Sequence, residues 1–291
     1  MATRVDEQQV VGQGKHTYER DTQWGRREGG VPQFGVAQGL FGDSKDRVYV
    51  FVRSPAAEML VFNRKGKLID SWGFGRFKHP HGVWMNDQDE LYLTDRDTHL
   101  VTKWKTDGTF VTSWGSANRP GEPGAPFNQP TKAVETDDGE LYVSDGYGQH
   151  RMHRFAKNGR LIRSWGEKGT GPAQFALPHD VFVDSRDRVL ACDRENGRVQ
   201  VFDREGNYRS EWANLKSPMQ IYERDGVLYV AEGRGRIEVR GLDFDEISAW
   251  DYQSVSARKE NSCHSLWVDS RGDIYVGEVT GEDGLQKFVR Q

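Results

Sequence analysis

Cysteine is nearly missing from this chain: Cys192 and Cys263 stand far apart in 291 residues. That excludes a secreted disulfide scaffold and points to a reducing, cytoplasmic setting, with both thiols as small buried fillers. Proline is scarce as well, ten residues against 33 glycines, a balance that suits many short strands joined by tight turns. No apolar run approaches the length of a transmembrane helix, and the first nine residues hold no apolar core of signal-peptide length, so no membrane partner is expected. Neither charge sign dominates. Forty Lys and Arg mingle with 44 Asp and Glu for a formal net charge of −4, and without a basic stripe nucleic acid is not expected as a partner. Helical periodicity is also lacking over any ten residues.

What the chain does have is a repeat. An apolar strand, an Asp-rich turn, a second and a third strand, a Gly turn and a strand ending in Trp recur in order. The clearest copy runs from His81-Gly-Val-Trp84 through Glu90 to Asp95 and Val101 to Trp104, and ends at Gly108 to Trp114. Closing tryptophans fall at Trp72, Trp114, Trp165, Trp212 and Trp250, separated by 42, 51, 47 and 38 residues, which brackets one four-stranded propeller blade. A sixth unit begins at Cys263 and contributes three strands, and His16 to Trp24 supplies the missing outer one. The expectation is an all-β, six-bladed β-propeller with four-stranded blades, the last closed by an N-terminal strand. Residues 1–10 are read as a flexible tail and 11–291 as a single domain.

Aligning the blades on the second strand brings out a pattern. His81 lies ten residues before Leu91, His179 ten before Val189, and His264 ten before Ile274. Each opens an innermost strand, and the matching slots of the other blades hold Gln38, Thr131 and either Pro218 or Met219. Alternate blades of a six-fold ring sit 120° apart, so three imidazoles at one height converge on the axis, the arrangement of a three-histidine metal site with an open position. Taken singly, each histidine reads better as a channel-lining polar residue hydrogen-bonded to its neighbours; it is the three together that favour a metal. Zinc is the first choice for three neutral imidazoles, with other divalent transition metals as alternatives.

Ser144-Asp-Gly-Tyr147, Leu177-Pro-His-Asp180 and Asp193-Arg-Glu-Asn-Gly-Arg198 resemble motifs of peptidyl-α-hydroxyglycine α-amidating lyase, a six-bladed propeller of the NHL-repeat type. The resemblance covers most of the chain and is densest from about Gln129 to Phe202. It implies zinc on His81, His179 and His264, a catalytic tyrosine at Tyr147, a catalytic arginine at Arg194, and a further active-site arginine at Arg53. It implies cleavage of the C–N bond of an N-acyl α-hydroxyglycine-type carbinolamide to an amide and an aldehyde such as glyoxylate. A free tyrosine has a pKa of about 10, so a tyrosine base working near neutrality needs cations beside it. The family's structural calcium is held partly by an Asp directly after the third histidine. Ser265 stands there, and the acid appears instead at Asp180, which counts against calcium. The family's cysteines around the tyrosine motif are missing, as are a copper monooxygenase domain and a secretory signal. A small-molecule carbinolamide is therefore expected rather than a peptide hormone. Two other readings stay open: a metal-dependent hydrolase of an ester, lactone or amide on the same histidines, and a non-catalytic NHL-type protein-binding scaffold. Oligomeric state is left open.

Overall fold

A computed structural model describes residues 10–26, 35–252, 263–279 and 284–291. Within them the chain forms six antiparallel sheets set as blades around an axis. The innermost strands are Ala37–Gly42, Pro80–Met85, Lys132–Glu135, Pro178–Val183, Pro218–Arg224 and Ser265–Val268. Each packs beside its neighbours in chain order, and the sixth returns to the first. The ring, the all-β class and the six blades agree with the repeat.

Burial falls off from the axis outward, which explains the composition. Second strands such as Val48–Val52, Leu141–Asp145 and Val189–Asp193 are buried at every position, because blades press on both of their faces. They accordingly read as nearly continuous apolar runs. Outer strands such as Leu68–Trp72 and Phe110–Gly115 are largely exposed. Their closing tryptophans lie instead on the next blade. Trp24, Trp72, Trp114 and Trp165 face the turn glycines Gly66, Gly108, Gly159 and Gly206. At Gly206, φ is +81° and an added Cβ would come within 2.9 Å of the Trp165 ring, so only glycine suits both the turn and the neighbour.

The last blade differs from expectation by one strand. Its order runs Val10–Gln13, His16–Asp21, Leu285–Arg290, Ile274–Gly277 and Ser265–Val268, so the N-terminus closes the ring with a hairpin. The extra strand leans on the fifth blade, where Gln13 N donates to Ser248 Oγ (3.0 Å) and Gln13 Nε2 to Ile247 O (2.8 Å). Val10 thus sits in a strand, while the rest of the expected tail, residues 1–9, lies outside the described residues.

Three layers of side chains fill the axis. The first holds the histidine slot. One residue along each strand come Gly39, Gly82, Lys132, Asp180, Gln220 and Ser265. Three residues along come Phe41, Trp84, Val134, Phe182, Tyr222 and Trp267. Phe41 meets Trp84 at 4.8 Å between ring centroids, and Tyr222, from the fifth blade, at 5.6 Å. Phe182 contacts both Trp84 (5.8 Å) and Tyr222 (6.0 Å). This aromatic layer plugs the channel. Beyond it lies a cavity of about 700 Å³ with an acidic rim that includes Asp137, Asp184 and Asp225, and the plug separates it from the histidines.

Candidate metal centre

His81, His179 and His264 meet on the axis, with ring centroids 4.7 to 4.9 Å apart and one ring nitrogen from each within 4.8 Å of the others. All three are buried, between 2% and 5% exposed. Each Nδ1 lies against a backbone carbonyl of the next blade: His81 on Thr131 O (2.8 Å), His179 on Met219 O (2.7 Å) and His264 on Gln38 O (2.6 Å). Those acceptors occupy the three slots that lack histidine, and they settle the fifth blade's slot on Met219. A carbonyl only accepts, so each Nδ1 carries the proton and each Nε2 keeps its lone pair. Fixing one nitrogen by a backbone carbonyl is how proteins prepare a histidine to bind metal through the other.

The charged imidazolium is disfavoured throughout. Burial lowers His81 and His179 well below the usual histidine range, with neighbouring histidines and Arg194 adding to the effect, and lowers His264 to about 3, with Arg194, Arg53 and Lys132 adding to it. The Nε2 of His179 is buried without a hydrogen-bond partner, a costly state for a polar atom that nothing else occupies. Three neutral nitrogen donors, one of them orphaned, fit a divalent transition metal.

On the side away from the aromatic plug, Tyr147 closes over the histidines. Its hydroxyl donates to His81 Nε2 at 3.2 Å and accepts from Arg194 Nη1 at 3.5 Å. The guanidinium of Arg194 lies 5.8 Å from its ring centroid and that of Arg96 lies 5.4 Å away, so two cations flank the ring. Arg194 enters from the single 3-10 turn among the described residues, Arg194–Asn196, and ion-pairs with the exposed Glu195. Arg53, half-buried, donates from Nη1 to His79 Nε2 (2.6 Å), while His79 Nδ1 faces Asp97 at 3.4 Å. Burial and the nearby Arg96 work against the charge on Arg53, and no described carboxylate forms an ion pair with it.

These side chains share one local origin. An acid ends the second strand of several blades and binds the backbone leading into the inner strand of the same blade. Asp95 accepts from Lys78 N and His79 N, Asp145 from Asn128 N, and Asp193 from Ala176 N and Leu177 N. The residues just past those acids then lie at the mouth, Arg96, Arg194 and, one position later, Tyr147, and Arg53 takes the matching position after Val52 in the first blade. Arg96 was not singled out from the sequence, although the same alignment contains it directly after Asp95. Nor was Lys132, whose partner Asp180 lies on another blade, or the pairing of His79 with Arg53 of the first blade.

The NHL repeat model matches residues 175–202, a stretch that holds His179 and Arg194. NHL repeat-containing protein 3 of Mus musculus is 32% identical over 265 residues, spanning 83% of this chain and 76% of that relative. The chain belongs to the NHL-repeat propeller family. Within that family, peptidyl-alpha-hydroxyglycine alpha-amidating lyase 1 of Drosophila melanogaster is also 32% identical, over 283 residues and 86% of this chain. The NHL-repeat chain spans about half, 52%, of that lyase's length. Among solved structures, a gluconolactonase of Xanthomonas campestris shares the fold, with a TM-score of 0.70 and 12% identity over 98% of this chain and 96% of its own. This NHL-repeat propeller is thus amidating-lyase-like in sequence, on a fold that also carries a lactonase. No described helix is long and apolar enough to cross a membrane.

Proposed function

We propose that the chain is a metal-dependent lyase that cleaves the C–N bond of an N-acyl α-hydroxyglycine-type carbinolamide, releasing an amide and an aldehyde such as glyoxylate. One observation carries the reading. Three Nδ1–carbonyl bonds aim three unprotonated Nε2 atoms at one axial point, and the Tyr147 hydroxyl lies 3.2 Å from one of them.

His81, His179 and His264 would hold the ion, zinc being first choice. When bound, it supplies Lewis-acid stabilisation of a substrate oxygen. The rest is work for the chain. Arg53, with no carboxylate partner among the described residues, pairs with the substrate carboxylate through its planar fork. Arg194 and Arg96 surround Tyr147 with positive charge, and its oxygen acts as the general base that takes the substrate hydroxyl proton. The C–O bond becomes a carbonyl as the electron pair of the C–N bond leaves with nitrogen. The same proton then passes to that nitrogen, and neither water nor a redox partner is consumed. The plug behind the histidines restricts entry to the side that Tyr147 and the arginines line.

The test loads the untagged chain with zinc and supplies α-hydroxyhippurate. Stoichiometric metal, with benzamide and glyoxylate released in equal amounts and both lost in His179→Ala, supports the lyase. Solvent ¹⁸O appearing in an acid product would point to the hydrolase. A chain that takes up no transition metal would leave the protein-binding scaffold.

A further inference from the structure

The family resemblance carries a second cation, a structural calcium, and the axial layer next to the histidines shows what this chain places there. Its only carboxylate among the described residues is Asp180, and that group is already engaged. Asp180 Oδ1 lies 3.5 Å from Lys132 Nζ, and Oδ2 accepts from Ile221 N at 3.0 Å. Both side chains are deeply buried, 5% exposed for Lys132 and 3% for Asp180.

The lysine is fitted into the layer. Gly82 of the preceding blade has no side chain, and a Cβ added there would come within 2.9 Å of Lys132 Cδ. The stem therefore runs through space that glycine leaves. Gln220 has both ends of its amide in use, Nε2 donating to Leu266 O at 3.0 Å and Oε1 accepting from Leu266 N at 3.3 Å. Ser265, at the position after the third histidine, offers a hydroxyl and no charge. Calcium takes about six to eight oxygen ligands, carboxylates prominent among them, and this layer presents one carboxylate facing an ammonium.

We infer that the second axial layer is closed by the chain's own cation, the Lys132 ammonium paired with Asp180, and takes no second metal. The pair does for the inner strands of the third and fourth blades what a bridging ion does elsewhere: it joins them with opposite charges shielded from water.

The test follows calcium and thermal stability, so its outcome is separate from that of the lyase assay. Calcium content is measured by plasma mass spectrometry on the whole chain, and the midpoint of unfolding with calcium chloride or a calcium chelator. The wild type is expected to carry no calcium and to shift with neither addition. Lys132→Ala, which strands a buried carboxylate, is expected to unfold roughly 10 °C lower and to regain part of that loss with calcium. Lys132→Met keeps the buried stem while removing the charge. It should show the same calcium response if the alanine variant fails to fold. Stoichiometric calcium in the wild type would overturn the inference. So would lysine variants that fold and ignore calcium, since the ammonium would then not stand where a cation binds.

Discussion

Single residues divide by whether their partners are near in sequence. His81, His179 and His264 were legible because a ten-residue offset to the second strand repeats in alternate blades, and a ring turns that offset into convergence. Arg96, His79 and Lys132 were not, because each gains meaning from a group on another blade: the Tyr147 ring, Arg53 and Asp180. The roles at the mouth separate by kinetics. Tyr147→Phe should keep its metal and its unfolding midpoint while kcat falls at least about 100-fold, the usual weight of a general base. Undiminished turnover would remove Tyr147 from that role. Arg53→Ala should act on binding instead. Loss of a charge-assisted pair, about 1.5–3 kcal/mol, predicts a KM raised roughly 10- to 100-fold. A substrate whose carboxylate is replaced by a neutral amide should show little difference between the two enzymes. Equal losses on both substrates would mean that Arg53 orders the mouth, through His79, rather than gripping the carboxylate.

At the scale of elements, the blade was readable because each strand carries its own signal. Apolar second strands, glycine turns and terminal tryptophans recur at blade spacing. The Val10–Gln13 strand escaped notice for the converse reason. It is four residues long, half exposed and without alternation, and its pairing depends on the fifth blade. The contact between tryptophan and turn glycine explains why the two residue types recur together. Gly206→Ala forces a Cβ into a left-handed turn, worth about 1–2 kcal/mol, and pushes against Trp165 at 2.9 Å. Urea unfolding should show a loss of about 2 kcal/mol or more, with the metal site intact. By contrast Gly226→Ala, at φ +72° with nothing within 4 Å of the added Cβ, should show the turn strain alone. Equal losses in the two variants would mean that the tryptophan yields without cost.

At the scale of the whole molecule, the ring has to close, and a histidine trio on alternate blades depends on that closure. His264 stands on the sixth blade and is fixed by Gln38 of the first, so a gap between them would loosen one of three ligands. Closure rests on His16–Asp21, which pairs with Leu285–Arg290 and buries Tyr18 against Trp250 at 5.1 Å. Deleting residues 1–21 should therefore expose Leu285–Arg290 as a free edge, which invites pairing with another chain, and remove a fully buried aromatic, worth about 3–5 kcal/mol. A lower unfolding midpoint, association on gel filtration and weaker metal retention are expected together. Deleting residues 1–13 removes the fifth strand and leaves the ring closed, so it should change stability slightly and metal retention not at all. If the longer deletion stayed monomeric and kept its metal, the histidine trio would be held by the inner strands alone, and the N-terminal hairpin would be a covering rather than a clasp.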